Sequence, residues 1–275
     1  MSEKINFKSE KDDKAGVVHW NETYASWPVS IFNPHLKGIR YFGRKKWHAF
    51  FSNYLCFPIG QKVRLIEVGC GGSKYLPYFS KEFNLNVAGI DYSLEGCALA
   101  EKSLAAANVK GNIYHGDLFN QPIELLDEFD AAVSFGLVEH FADTTNAVTN
   151  IAAFLKHEGL MITIVPNMVG LCGLAQKLIC RSVYLVHEPL TKADLEVAHT
   201  KADLIIVKTG YIEFLNFGVI NVGTSSYGLI QIFRKVIHKF LLLLTVTVWI
   251  FEKIFGSPRG NAITSPYIYC IAKKR

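Results

Sequence analysis

Two acids and a group of glycines are spaced so that together they could hold a nucleoside. Glu67 lies two residues before a glycine turn that contains Gly69 and Gly71, and an apolar run starting at Val63 leads into that turn. Asp91 ends a second apolar run, twenty positions after Gly71. Glycine permits tight turns and leaves no Cβ between backbone and ligand. Because the Asp91 carboxylate could accept both hydroxyl groups of a ribose, we predict a cofactor that contains a nucleoside.

The same segment argues against a dinucleotide. A dinucleotide fingerprint needs three glycines in the pattern G-x-G-x-x-G, and Lys74 stands where the third is required. The Glu67 carboxylate would also lie near a diphosphate, which is unfavourable, whereas it would favour a cationic ammonium or sulfonium group. S-adenosyl-L-methionine carries both of these cations and a ribose.

Residues 67–73, Glu-Val-Gly-Cys-Gly-Gly-Ser, resemble the first motif, E/D-x-G-x-G-x-G, of the class I S-adenosylmethionine-dependent methyltransferases, with Ser73 in place of the last glycine. Later segments up to residue 167 resemble the family's other motifs in the same order. The resemblance implies S-adenosyl-L-methionine as cofactor, with Asp91 on the ribose and Asp117 on the adenine amino group. The implied cofactor-binding residues are Glu67, Gly69, Cys70, Gly71, Asp91, Tyr92, Gly116, Asp117, Leu118, Ser134, Phe135 and Gly136.

Residues 137–141, Leu-Val-Glu-His-Phe, resemble a segment of the ubiquinone-biosynthesis-like branch of that family. His140 is the first candidate for a general base and Glu139 the second, since a base is needed when the acceptor arrives protonated. The alternative for His140 is to shape the pocket or to satisfy a backbone group. The end of the fourth strand lacks the Asn/Asp-Pro-Pro-Tyr/Phe pattern of enzymes that methylate exocyclic or amide nitrogens. We therefore expect a small-molecule acceptor, methylated on nitrogen or oxygen.

Composition restricts the class of protein. Half of the 275 residues are hydrophobic, only 19% are charged, and the net charge is +5, so an ordered chain is expected. The basic residues are spread out, which makes a nucleic-acid partner a poor guess. Six cysteines show neither paired spacing nor a zinc pattern, so we expect reduced thiols, no metal site and a cytoplasmic location. The polar N-terminus does not resemble a signal peptide.

The alternation of apolar runs and helical periodicity predicts an α/β fold. By the resemblance it is a seven-stranded, mostly parallel sheet with helices on both faces and an antiparallel last strand. A flexible N-terminus is expected over residues 1–16 and one methyltransferase domain over 17–275. That domain divides into an N-terminal helical lid (17–60), a cofactor-binding half (61–167), a helical substrate-cap insert (168–202) and the C-terminal strands (203–275), with a helical insert over 224–258. The sixth strand is expected over residues 203–221.

Inserts at the carboxyl ends of strands lie over the ligand crevice of such folds. The candidate substrate residues are therefore Tyr24 in the lid, Asn167 at the end of the fifth strand, and His187 and Glu188 in the insert. The alternative for each is a structural role. For the helix around residue 155, we expect Gly159 to end it as a C-terminal glycine.

One apolar run stands apart from these motifs. Residues 240–251 contain no charge and are flanked by Lys239 and Glu252. A transmembrane helix needs about 18 or more apolar residues, so no span is expected. Three interpretations remain, in this order: a buried helix, a dimer surface, and a helix in the membrane interface for an apolar substrate.

The sequence leaves two rival functions open. A nicotinamide oxidoreductase would share the sheet and Asp91, but the missing glycine at Lys74 and the acid at Glu67 argue against it. A non-catalytic partner subunit that keeps the fold is the second, and the intact cofactor motif argues against that one.

Overall fold

The structure is a computed structural model that describes residues 13–58, 60–223 and 228–275. Most of the N-terminal segment expected to be flexible (1–12) and the start of the C-terminal helical insert (224–227) lie outside the described residues. The domain boundaries stay a prediction.

Seven strands form one sheet. They are β1 (Arg64–Val68), β2 (Asn86–Asp91), β3 (Gly111–His115), β4 (Phe129–Phe135), β5 (Leu155–Pro166), β6 (Leu204–Ile212) and β7 (Tyr267–Lys274). Their order is β3-β2-β1-β4-β5-β7-β6. The first five strands pair in parallel, and β7 runs antiparallel between β5 and β6. The predicted fold class is confirmed.

Nine α-helices surround the sheet within the described residues. They are α1 (Gly16–Ala25), α2 (Phe42–Tyr54), α3 (Leu76–Phe83), α4 (Leu94–Ala106), α5 (Thr144–Ala153), α6 (Leu171–Ile179), α7 (Arg181–Leu185), α8 (Lys192–Lys201) and α9 (Leu229–Phe255). The side chains of Ser93, Asp143 and Thr191 cap α4, α5 and α8 by accepting hydrogen bonds from backbone N–H groups of the first turn.

Core side chains alternate between the two faces of the sheet, because successive residues of a strand point to opposite sides. On one face Leu65 of β1 packs with Trp47, Phe51 and Phe79 of the flanking helices. On the other face Ile66 packs with residues of α5 and α8. The N-terminal aromatics therefore belong partly to the core, and those of α2 anchor this helix to the sheet.

Two expected boundaries are wrong. The helix expected to reach Gly159 ends at Ala153, and Gly159 lies inside β5, because Leu155 already pairs with Phe129 of β4. The sixth strand, expected to run from 203 to 221, ends at Ile212. Glu213 follows with a φ of 64°, a left-handed conformation that ends strand pairing.

The first interpretation of the apolar run, a buried helix, is also wrong. The run forms the second half of α9, and this helix buries only Thr245, Trp249 and Glu252. Its large apolar side chains are mostly exposed. Over the described residues, no helix combines the length and the apolar character needed to cross a bilayer.

Candidate functional site

A cavity of about 700 Å³ lies at the carboxyl ends of β1, β2 and β4. We call these strand ends, with the loops 69–73 and 91–93, the cofactor edge. β1 lies between β2 and β4, so the chain leaves neighbouring strands in opposite directions here, and this is where open α/β sheets bind ligands. Residues of α1 and of the insert after β5 complete the wall. The volume is within the range of small-molecule and cofactor sites.

The glycine turn after β1 is held by its neighbours. Gly69 and Gly72 have φ values of 75° and 63°, which side chains with a Cβ rarely adopt. A Cβ on Gly71 would lie 2.3 Å from Cζ of Tyr24. Tyr24 of α1 thus packs directly on the turn, and only a glycine at position 71 allows this contact.

Asp91 connects the turn to the next helix. Its carboxylate accepts hydrogen bonds from the backbone N–H groups of Gly71 and Ser93, both at 2.8 Å. Burial raises its pKa to about 6. A carboxylate has about four acceptor positions, so Asp91 keeps capacity for a ribose hydroxyl group. Gly71 and Asp91 therefore fit the nucleoside part of S-adenosyl-L-methionine.

Glu67 lies at the cavity wall and is 4% exposed. It accepts a hydrogen bond of 2.5 Å from Ser73 Oγ. Ser73 Oγ in turn accepts bonds from the N–H groups of Tyr75 and Leu76 at 3.1 Å, at the start of α3. Ser73, which replaces the last glycine of the motif, thus connects the Glu67 carboxylate to the start of α3. Burial raises the pKa of Glu67 to about 8, and a ligand cation would favour its ionised form.

The structure brings Glu139, His140 and His187 together. The ring centroids of the two histidines are 4.6 Å apart. His140 Nδ1 lies 2.8 Å from the carbonyl oxygen of Val186, and His187 Nδ1 lies 2.7 Å from that of Val183. Because a carbonyl only accepts, both Nδ1 atoms carry the proton and each Nε2 keeps a lone pair. Burial lowers the pKa of both rings, that of His187 to about 4.

Glu139 is the unsatisfied member of this group. It is 1% exposed, and among the residues that the structure describes neither carboxylate oxygen has a hydrogen-bond partner. Burial raises its pKa to about 8. One ligand atom from each of Glu139, His140 and His187 falls within a 4.8 Å span. Two imidazoles and a carboxylate could hold a divalent cation, and the expectation of no metal site stays a prediction.

Sequence reasoning missed Asp13, which joins α1 to the cofactor edge. Asp13 is buried and pairs with Phe141 through a β-bridge. It accepts hydrogen bonds from Trp20 Nε1, at 2.7 Å, and from the hydroxyl of Tyr92. Trp20 meets the His140 ring edge-on at 5.0 Å between centroids. No local signal marks Asp13, because it stands in a polar, charged stretch of the chain.

Most of the predicted residues line the cavity. They are Tyr24, Glu67, Gly69, Gly71, Asp91, Tyr92, Gly116, Leu118, Phe135, Gly136, Glu139, His140 and His187.

Five predicted residues do not line it. Cys70 packs beneath the turn against Gly89, and Asp117 accepts a bond of 2.9 Å from the N–H of Phe119. The three others are Ser134, Asn167 and Glu188. The buried hydroxyl of Ser134 has no hydrogen-bond partner within the described part of the chain. Asn167 Nδ2 donates to the carbonyl oxygens of Ala262 and Ser265 at 2.9 Å, and Glu188 forms an ion pair with Lys14. The structure thus gives Asn167 and Glu188 structural contacts.

Comparison with known proteins gives a consistent result. Residues 66–163 match the model of a family described as "Methyltransferase domain". Curated relatives from two strains of Rhodopseudomonas palustris, each named "Ubiquinone biosynthesis O-methyltransferase", are 23% identical over 158 residues, which are 57% of this chain and 60% of each relative. The match thus spans about three fifths of the length of those relatives.

Solved structures share the fold at low sequence identity. The geranyl diphosphate C-methyltransferase of Streptomyces coelicolor A3(2) superposes with a TM-score of 0.57 at 12% identity, over 98% of both chains. A SAM-dependent methyltransferase of Archaeoglobus fulgidus gives 0.51 at 18% identity, over 84% of this chain and 94% of its own. The [4+2]-cyclase SpnF gives 0.58 at 14% identity, over 94% and 92%. At these identities the likeness concerns the fold alone.

Proposed function

We propose that this chain, which belongs to the class I S-adenosylmethionine-dependent methyltransferases, transfers a methyl group to a nitrogen or oxygen atom of a small-molecule acceptor. The observation that carries the proposal is the position of the His140 imidazole, which lines the cavity beside the cofactor edge. Burial lowers the pKa of His140, and Nε2 keeps its lone pair because Nδ1–H donates to the carbonyl of Val186. Such a ring can accept a proton from a hydroxyl or ammonium group.

The cofactor is S-adenosyl-L-methionine, which supplies a methyl group already activated by the sulfonium. In the proposed complex Asp91 would bind the ribose, and the turn at Gly69 and Gly71 would bring its backbone close to the ligand. Glu67, with its buried carboxylate, would lie near the cationic end. The protein's contribution is then mainly to align acceptor and methyl group and to exclude water. The lid residues Trp20 and Tyr24 would serve that exclusion.

An oxygen acceptor has additional support. The curated relatives are named as O-methyltransferases, and a hydroxyl group must lose its proton during methylation. His140 would take this proton at Nε2. Six free cysteines, five of them buried, support a reducing, cytoplasmic location. The proposal also includes a homodimer, and measurement of the oligomeric state in solution tests it.

A variant of this mechanism follows from the Glu139–His140–His187 group. A divalent cation held by these three side chains would lower the pKa of a hydroxyl bound to it, and His140 would then be a ligand and not the base. The two versions differ in their response to a chelator and to His187→Ala. The metal version predicts that the chelator and His187→Ala each abolish turnover. It also predicts that addition of Mg²⁺ or Zn²⁺ restores turnover in the chelated wild type.

The test of the proposed function begins with binding. Calorimetry with S-adenosyl-L-methionine and S-adenosylhomocysteine on the purified chain should give micromolar affinities. Transfer of a radiolabelled methyl group is then measured with catechol, phenol, carboxylate and amine acceptors. Binding without transfer to any of them would contradict the proposed reaction and favour another use of the fold. Absence of binding by a folded chain would contradict the cofactor site itself.

A further inference from the structure

Helix α9 presents its apolar side chains to the outside. A helix on the surface of a globular protein normally turns its apolar stripe to the core. In α9 the buried positions include Thr245 and Glu252, and these polar groups attach the helix to the body of the protein. Thr245 Oγ accepts a hydrogen bond of 2.9 Å from the N–H of Phe217, and Glu252 forms an ion pair with Lys46.

The exposed side carries a continuous apolar stripe. Its members recur at intervals of one, three, four and seven residues, which places them within about 100° of one another on a helix of 3.6 residues per turn. They are Leu229, Ile232, Phe233, Val236, Phe240, Leu243, Ile250, Phe251 and Ile254, and we call them the α9 stripe. Each is between 46% and 84% exposed, and only Thr247 interrupts the stripe. With 27 residues, the helix is about 40 Å long.

The charges beside the stripe are all of one sign. Lys235, Lys239 and Lys253 are exposed and fall along one edge of the stripe at helical spacing. The single acid of the helix, Glu252, is buried and paired on the opposite side. An apolar face with lysines along its border matches a bilayer surface, in which acyl chains lie beneath anionic headgroups.

We propose that α9 docks on the surface of an anionic lipid bilayer, with the α9 stripe embedded at the boundary between headgroups and acyl chains. A second copy of the chain fits less well. Two stripes packed against each other would bring two rows of lysines together, with no exposed acid on either helix to balance them. Crossing the bilayer is excluded by the attachment of the opposite side through Thr245, Trp249 and Glu252.

The cavity lies behind the docking surface. Ile237, Leu241 and Val248 of α9 share one apolar cluster with Cys172 and Ile179 of α6. Helix α6 also has exposed apolar side chains, at Leu171, Leu174 and Leu178.

Residues near the same cluster, Gln176, Val183 and Val219, line the cavity. Docking would therefore bring one wall of the cavity close to the bilayer. The consequence that the acceptor dissolves in the bilayer rests on the proposed function, whereas the docking itself does not.

The test is flotation of the full chain with vesicles, which requires neither cofactor nor turnover. The wild type should float with vesicles of phosphatidylglycerol and phosphatidylcholine, and much less with pure phosphatidylcholine. The triple variant Phe233→Gln/Phe240→Gln/Phe251→Gln should lower the partition coefficient by at least about a hundredfold, because three aromatic anchors are lost. Lys235→Gln/Lys239→Gln/Lys253→Gln should remove the preference for the anionic vesicles and the sensitivity to salt.

A matched control separates the stripe from exposed apolar residues in general. Ile123→Gln/Ile205→Gln/Val207→Gln changes three exposed apolar residues away from α9 and should float like the wild type. Cofactor binding by each variant reports an intact fold, so failure of docking is distinguishable from failure of the proposed function. The proposal is overturned if the wild type does not float, or if light scattering shows a dimer that the Phe variant converts to monomer without any vesicle binding.

Discussion

The cofactor edge buries charged side chains, whereas the α9 stripe exposes apolar ones. Both depart from the usual distribution, in which charged groups are exposed and apolar groups are buried. At the cofactor edge and beside it, the carboxylates of Glu67, Asp91 and Glu139 are buried, where burial raises their pKa values. On α9, nine large apolar side chains face outward while Thr245 and Glu252 are buried. Both arrangements cost free energy in the isolated chain. Natural sequences depart from such rules mainly at functional sites, so each region indicates a ligand that would compensate.

The two regions differ in the kind of ligand they fit. The cofactor edge has a concave surface and few, directional groups, which suit one small molecule. The α9 stripe is long, convex and non-directional, which suits a surface. Substitutions in each region should therefore have separate effects, and within the first region they should separate cofactor binding from chemistry.

The largest effect is expected for the chemical step. His140→Ala removes the proposed base and should lower kcat by about 10²- to 10⁴-fold, because proton transfer from the acceptor is lost. Affinity for S-adenosyl-L-methionine should stay within about threefold, since Asp91 and the glycine turn are untouched. Single-turnover transfer of a labelled methyl group measures the first quantity and calorimetry the second. His157→Ala, at an exposed position of β5, is the control; an unchanged kcat in His140→Ala would remove this residue from the mechanism.

Cofactor affinity is expected to depend most on Asp91. Asp91→Ala removes two ribose hydrogen bonds to a charged acceptor and should weaken binding of S-adenosyl-L-methionine by about 2–4 kcal/mol. Loss of the contacts to Gly71 and Ser93 acts in the same direction, because the turn is less well fixed. Calorimetry measures the change, and Asp127→Ala, at an exposed turn, is the control. Equal affinities in the two variants would contradict the assignment of Asp91 to the ribose.

The sequence was most informative where function depends on neighbours along the chain. The glycine turn, Glu67 and Asp91 are each followed or preceded by the strand or helix that positions them, so a local pattern specifies the geometry. The grouping of His140 with His187 could not be predicted, because it depends on how the insert after β5 folds back. The same holds for Asp13, whose partners Tyr92 and Phe141 are distant in sequence.

The α9 stripe shows a second limit of the sequence. Helical periodicity reveals that one side of 229–255 is apolar, but it does not reveal which side packs on the protein. Thr245 and Glu252 resemble ordinary surface residues until Phe217 and Lys46 are placed against them by the fold. The apolar character of the run therefore favours a buried helix, and the structure contradicts this interpretation.

A pH effect on stability should mark the cofactor edge. Burial raises the pKa values of Glu67 and Glu139 from 4.5 to about 8, so the folded state binds more protons than the unfolded state between these values. Their ionisation therefore lowers the free energy of unfolding as pH rises from 4.5 to 8. Between pH 6.5 and 8 each group should contribute roughly 2 kcal/mol, at about 1.4 kcal/mol per pKa unit. Below pH 6.5 the buried His187 and His199, with pKa values of about 4, act in the opposite direction.

Urea unfolding of the chain without cofactor at pH 6.5 and pH 8 measures this difference. Glu139→Gln should roughly halve it, and Glu124→Gln, at an exposed position, should leave it unchanged. A saturating concentration of S-adenosyl-L-methionine should also reduce it, because the ligand's cation favours the ionised carboxylates. A free energy of unfolding that is constant over this range would mean that the two buried acids are compensated within the protein itself.

The smallest expected effects concern the attachment of α9. Here the replacement of a polar side chain should lower the free energy of unfolding more than the replacement of a large apolar one, which is the reverse of the usual order. Thr245→Val leaves the buried N–H of Phe217 without its acceptor and should cost about 1–2 kcal/mol of unfolding free energy. Phe240→Ser, at a position 67% exposed, should change it by less than about 0.5 kcal/mol. Urea unfolding without lipid compares the two. If Phe240→Ser proves the more damaging, the stripe packs against protein in solution, and α9 is an interface between chains and not a surface left free for a bilayer.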